Sequence, residues 1–371
     1  MISVDLPGPA SSARASAGTL RVIQCGTGIA GAQALGAILE RPDLELAGLL
    51  VHSESNEGRD AASFLGLPDC GVSSTRDVAA LVATAADAVV YMLLVPSLDD
   101  ICAFLASGKN VVTTAGFMFP RWNNPEANAR ICAACEEGNS SFHVTGINPG
   151  FVDEVLPLTL SMLSRDWRTV TITEYANCAK YPSPPMLFDV MGFGKTPEDI
   201  AAGRVADMSV MTDFFAASVA GLAHELGVEL DEVRQSREFA VAADTMEISA
   251  GRIEKGTVVG QRWCWAGMAA GVERIVQKTY WIVAFDLAPG WPETGSMDGD
   301  VRWQVTIEGT PSLRCTFEAS ESFDTPSSLG ENPSGVATAM AAVNSLHALV
   351  AAAPGQLTAA DLPQPRWRGV A

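Results

Sequence analysis

Through positions 19–150, short apolar runs alternate with stretches of helical periodicity. Residues 20–25 read as a strand, 32–40 as a helix, and 44–52 as a near-continuous apolar strand. Residues 75–83 read as a helix with Thr75 at its N-cap and Asp77 in the first turn. Residues 88–94 have the unbroken apolar character of a strand buried on both faces. Ser97 caps a helix that carries Asp99 and Asp100 in its first turn and ends near Gly108; residues 110–114 form the next strand. A helix over 125–137, closed by Gly138, and a strand over 142–146 follow. Strands and helices in this order predict right-handed crossovers and a doubly wound parallel sheet.

The pattern changes after Asn148-Pro149-Gly150. Residues 170–175 alternate, 207–226 read as a long helix with one apolar face ending at Gly227, and 277–287, 301–308 and 313–318 read as alternating strands joined by short turns. This predicts an α+β domain whose mostly antiparallel sheet has one face covered by helices. Residues 327–334 read as a polar loop and 336–352 as an Ala-rich apolar helix returning to the first domain. The expected division is a flexible tail at 1–18, a dinucleotide-binding domain at 19–150, a substrate and dimerisation domain at 151–330, and a C-terminal helix and tail at 331–371.

Composition narrows the class. The 371 residues are 48% hydrophobic and 18% charged, enough for two cores. No uncharged apolar run reaches the ~18 residues of a membrane span, and the first 18 residues lack the cationic and apolar regions of a secretory signal. A net charge of −19 disfavours nucleic acid and anionic membrane as partners. The eight cysteines are scattered through apolar contexts. Cys132 and Cys135 form one C-x-x-C with no second pair and no histidine at zinc spacing, so buried thiols, no metal and a reducing cytoplasmic location are expected.

The most specific motif is Gly26-Thr27-Gly28-Ile29-Ala30-Gly31, a Gly-x-Gly-x-x-Gly between a strand and a helix. The first glycine permits the tight turn, the second lets the backbone approach a pyrophosphate, and the third lets helix and strand pack closely. The free N–H groups of the helix start bind the phosphates. Where an acid for the ribose diol is usual, the second strand ends in His52-Ser53, with Glu54, Glu57 and Arg59 following. A hydroxyl and an arginine suit a 2′-phosphate, so NADP(H) is preferred and NAD(H) possible through Glu54. Leu94 and Thr114, at strand ends on the carboxyl edge, are expected beside the nicotinamide.

Several motifs in order carry a family resemblance: Gln24-Cys25-Gly26-Thr27-Gly28, Val51-His52-Ser53 with Gly58-Arg59-Asp60, residues 107–114, residues 145–151, and residues 256–263. Together they resemble dihydrodipicolinate reductase-like proteins with a Rossmann domain, in the branch of 2,4-diaminopentanoate dehydrogenase and the native amine dehydrogenases. The resemblance spans roughly residues 20–362. It implies an NAD(P)-dependent oxidoreductase at a C–N bond, dimeric, with the substrate pocket in the second domain. It also implies an acid just after the strand at 110–114. Residues 113–120 carry none, which keeps hydride transfer to a preformed imine or to a ketone open, along with alcohol oxidation and a non-catalytic NADP-binding sensor.

Hydride transfer needs a group that moves a proton. Asn148 is placed to touch nicotinamide or substrate, with Asp153 and Glu154 as acids of a helix first turn. Glu174 and Tyr175 end a strand that leads to Tyr181 in a Pro-rich loop, and a buried Glu174 is a plausible acid or base. His143 reads as a core histidine, His224 as surface, His347 as structural, and Lys180 and Lys195 as loop lysines with Lys180 a possible acid or anchor. Residues 186–194 together with Phe117, Met118 and Phe119 supply an apolar, adaptable wall, with Trp263 and Trp265 nearby, favouring a mostly apolar carbonyl, imine or amine substrate.

Overall fold

The computed structural model describes residues 18–181, 183–204, 209–297, 299–320 and 332–363. All of the 1–18 tail but Gly18, the start of the 207–226 helix and most of the 327–334 loop lie outside the described residues.

The strands are β1 (Leu20–Cys25), β2 (Leu44–Leu50), β3 (Ser74–Thr75), β4 (Ala88–Tyr91), β5 (Asn110–Thr113), β6 (Ser141–Val144), β7 (Asp166–Asn177), β8 (Glu232–Val241), β9 (Met246–Ile248), β10 (Gly251–Ile253), β11 (Val258–Ala269), β12 (Val272–Ile282), β13 (Val301–Thr310), β14 (Leu313–Glu318) and β15 (Gly355–Leu357). The helices are α1 (Ile29–Glu40), α2 (Val78–Ala83), α3 (Leu98–Ala106), α4 (Pro120–Asn123), α5 (Pro125–Gly138), α6 (Leu156–Ser161), α7 (Pro197–Ala201), α8 (Ser209–Glu225) and α9 (Pro333–Ala351).

The first sheet runs β15-β6-β5-β4-β1-β2-β3, all parallel. Strand order reverses beside β1, where doubly wound sheets open a crevice at their carboxyl edge. Its central strands are largely buried on both faces because helices cover both. Ala34, Leu35 and Ile38 of α1 lie with Ala339, Val343 and Leu346 of α9 on one face. Ile101 and Phe104 of α3 and Ile131 and Cys135 of α5 lie on the other. Arg41, buried at the end of α1, grips Asp43 (2.7 Å) and Asn344 of α9 (2.9 Å), while His347 reaches Asp43 at 2.9 Å. The Arg41 hydrogen bonds hold the Asp43 carboxyl down at about 2.

Helix α9 corrects one expectation. It is long and apolar enough to span a membrane by length and composition. Its buried residues are core contacts against α1 and the sheet.

The second sheet runs β14-β13-β7-β12-β11-β8; β7 and β12 pair in parallel, the other neighbours antiparallel. Helix α8 lays Phe215, Val219 and Leu222 on its inner face against Trp263, Trp265 and Trp281. Several boundaries differ from the pattern, β7 among them, which runs over Asp166–Asn177. Thr75 belongs to β3, and Asp77 caps α2 by accepting from Ala80 N at 3.0 Å. Strand β4 stops at Tyr91, leaving Leu94 81% exposed beyond it. β12 spans Val272–Ile282 and β13 runs on to Thr310. Apolar character marked these strands, but hydrogen-bonded pairing decided where they end. The thiols also differ: only Cys25 and Cys135 are buried, and Cys70 and Cys132 are exposed.

Candidate active site at the carboxyl edge and the second sheet

The Gly26–Gly31 turn is built for close approach. Gly26 has φ +93°, and a Cβ there would stand 2.7 Å from Met92 O. A Cβ on Gly31 would stand 2.4 Å from Gly26 O, so α1 packs directly on the turn that precedes it. Gly28, the N-cap of α1, has no heavy atom within 4 Å of its virtual Cβ and no side-chain cap. Open space, uncapped N–H groups and the positive helix end fit a dinucleotide pyrophosphate. Buried Gln24 fastens the turn, its amide nitrogen donating to Cys25 O (3.2 Å) and Gly26 O (3.0 Å). Thr27, Ile29 and Ala30 complete the loop.

At the end of β2, His52 and Ser53 are exposed. Arg59 donates to Asn56 Oδ1 (3.1 Å) and lies over the Phe64 ring at 4.2 Å. A second cation, missed in the sequence, stands in the same region: Arg76, one residue past β3, donates from Nε to His52 O at 3.1 Å. Its signal was absent because only β2–β3 pairing brings residue 76 to residue 52. Thr114 is half-buried just after β5.

Asn148 leaves the carboxyl end of β6 through a cis Asn148–Pro149 bond. Its amide nitrogen donates to Glu174 Oε2 at 2.6 Å, and its oxygen accepts from Gln277 Nε2 at 3.3 Å. Glu174, buried on β7, accepts two more hydrogen bonds, from Trp281 Nε1 to Oε1 and from Trp303 Nε1 to Oε2, both 2.8 Å. The nucleotide sheet and the second sheet are thus linked through one buried carboxylate. Trp281, Trp303 and Gln277 have no sequence signal of their own, since they come from strands far apart in the chain.

Tyr175 does not join this network. Successive side chains of a strand point to opposite faces, so Tyr175 lies on the outer face, stacked on Tyr280 at 5.0 Å with Arg302 4.9 Å from its ring. Tyr181 packs on the inner-face core, its N–H donating to Cys178 O at 3.0 Å. The apolar wall is divided: Leu187, Phe188, Met191 and Phe193 pack into the second-sheet core, while Phe117, Met118 and Phe119 join the α3/α5 side of the first. Trp263 and Trp265 are buried in the second-sheet core. His143 is buried with Nδ1 3.0 Å from Leu357 O, and burial lowers its pKa. His224 is exposed beside Phe119. Lys180 pairs with Asp300 and Lys195 with Asp189.

Asp153 and Glu154 are not solvated first-turn acids. They sit buried on a π-helical turn, Phe151–Val155. π-bulges often mark functional sites. Asp153 accepts from Gly150 N at 2.5 Å and from the Ser218 hydroxyl of α8. Burial, with a contribution from the Glu174 charge, pushes its carboxyl up to about 6. Between about 4, its unfolded value, and about 6, the native state holds a proton that the unfolded chain has lost. That contribution to stability is therefore present at low pH and is lost as pH rises through this window. Asp153→Asn is expected to flatten this part of the profile. Urea midpoints at pH 4.5 and 6.5 check it, and an identical slope in both proteins would refute it.

A family model, the 2,4-diaminopentanoate dehydrogenase C-terminal domain, matches residues 151–368. An amine dehydrogenase of Streptomyces virginiae is 32% identical over 353 residues, covering 91% of this chain and 94% of the relative. The 2,4-diaminopentanoate dehydrogenase of Acetoanaerobium sticklandii is 24% identical over 357 residues, covering 94% of each. Among solved structures, an amine dehydrogenase from Mycobacterium smegmatis shares the fold, with TM-score 0.75 at 21% identity over 94% of this chain and 97% of that one. With the Gly loop of the first sheet and the matched second domain together, the chain belongs to the family of 2,4-diaminopentanoate dehydrogenase and the amine dehydrogenases, nicotinamide-dependent oxidoreductases that act on C–N bonds.

Proposed function

We propose that this enzyme transfers hydride between NADP(H), in preference to NAD(H), and a mostly apolar imine, ketone or amine. The observation that carries the reading is the buried Glu174 carboxylate, tied through Asn148 to the carboxyl edge of the nucleotide-binding sheet. A bound nicotinamide supplies or accepts the hydride at its C4. The Gly26–Gly31 turn holds the phosphates, and Arg59 with Ser53 takes the 2′-phosphate. Asn148 orients the reacting carbon, and Leu94 and Thr114 flank it. Glu174 positions Asn148: three donors occupy its oxygens, and its negative charge favours the positive charge of an iminium or of a protonated amine. Tyr181 belongs to the substrate wall. Residues 19–150 carry the cofactor and residues 151–330 the substrate, with self-association into a homodimer through the outer face of the second sheet; a light-scattering mass of one chain would remove that last part.

The absence of an acid from residues 113–120 favours a second reading, alcohol or ketone oxidoreduction on the same scaffold. Ketone reduction assayed with and without ammonium separates them: ammonium-dependent turnover is expected, and a rate indifferent to ammonium moves the protein to the second reading. Fluorescence titration tests the cofactor. Arg59→Ala is expected to weaken NADPH binding about 10-fold, the worth of one charge-assisted contact, and to leave NADH unchanged. Equal loss for both would overturn the 2′-phosphate assignment.

A further inference from the structure

One cavity lies apart from the Glu174 network. It is bounded by the segment after β5, by α8 and by β15, and its volume is about 30 Å³, room for a single water-sized group. Glu154, Glu225, Phe117, Phe119, Arg121 and Gln356 line it. Glu154 is 8% exposed, and among the described residues nothing hydrogen-bonds its carboxylate. Gln356 Oε1 is likewise buried without a partner. An amide oxygen buried without a partner is costly, and it lies at the same small space as the buried Glu154 carboxyl. The acceptors outnumber the donors there. Burial first, then the neighbouring Asp153 charge and last that of Glu225, push the Glu154 carboxyl well up. The one cation of the lining, Arg121, is turned to His224, 3.4 Å from its Nε2, and to the Phe119 ring at 5.0 Å. Among the described residues no group of three or more His, Cys, Asp or Glu could hold a metal ion.

We propose that this cavity binds an ammonium group, with N–H donors toward Glu154, Glu225 and Gln356 Oε1 and the Phe117 and Phe119 rings beside the charge. Several N–H donors on a compact cation suit three acceptors around a water-sized space, and aromatic faces attract such cations. The nitrogen comes from free ammonium or from the protonated head of a primary amine. The proposal draws its use from the C–N reading above, since ammonia or amine is then a reactant, but its measurement needs no turnover.

The test is the melting temperature of the full chain at fixed ionic strength in ammonium, butylammonium, tetramethylammonium, potassium and sodium chlorides. A saturable rise in ammonium or butylammonium alone is expected. A response to ammonium only assigns the site to free ammonia, and a response to butylammonium assigns it to the amine head. Glu154→Gln and Gln356→Leu should each raise the apparent Kd about 10-fold or more, through loss of an acceptor. Equal shifts in all five salts, potassium matching ammonium, or an undiminished response in both variants would overturn the proposal. Loss of ketone or amine turnover with this response intact would instead remove the C–N reading alone.

Discussion

Glu174→Ala is expected to destabilise the protein by about 3 kcal/mol or more and to lower turnover by at least about 100-fold. The substitution removes one acceptor and strands three donors, the buried indole N–H groups of Trp281 and Trp303 and the half-buried amide of Asn148. Each unsatisfied buried group costs about 1–3 kcal/mol. The relief of desolvating one carboxylate offsets part of that sum. Urea unfolding monitored by tryptophan fluorescence reads the stability directly, because the two indoles are themselves the partners. Glu174→Gln separates charge from shape. Its oxygen still serves one indole, while its NH2 opposes the remaining donors, so it should fold with a smaller loss. If Glu174 positions Asn148 and favours positive charge at the reacting carbon, Glu174→Gln lowers kcat more than it raises KM. A variant with wild-type kcat would leave Glu174 a purely structural acceptor.

Gly28→Ala and Gly31→Ala are expected to part company although they lie three residues apart in one motif. A Cβ on Gly28 meets nothing within 4 Å, so the chain folds with unchanged melting temperature. The added methyl then occupies the space in front of the uncapped α1 N-terminus, where the phosphates must approach the backbone, and affinity for NADPH and NADH alike should fall by about 100-fold, roughly 2.7 kcal/mol. A Cβ on Gly31 meets Gly26 O at 2.4 Å, with Gly26 C at 2.8 Å. Backbone cannot yield as a side-chain tip does, so Gly31→Ala shifts α1 from β1 and lowers the melting temperature as well as the affinity. Calorimetry with cofactor titration checks both. Unchanged cofactor affinity in Gly28→Ala would show that the phosphates do not sit on this turn.

Much of this protein was legible in its residues because the signals are local. Strand β4 is apolar for burial on both faces, and the Asp99 and Asp100 turn behind Ser97 is a capping pattern that acts over one helical turn. The Gly26–Gly31 loop likewise states its purpose within six residues, and the family resemblance follows from the order of such segments. Glu174 was singled out as a candidate from its place at a strand end. What surrounds it was not legible: Trp281, Trp303 and Gln277 converge only through the register of β7 with β12 and β13, and Asn148 reaches it from the first sheet. The same register set Tyr175 on the far face, since strand alternation separates neighbours in sequence. It was packing of α8 and of the π-helical turn that buried Asp153 and Glu154, acids that by sequence belong to any solvated first turn. Sequence alone therefore determined most of the elements of the first domain, the nucleotide turn and the class of enzyme. Tertiary structure decided which charges lost their water and which donors met them, because desolvation depends on what lies across the core and not on what lies along the chain.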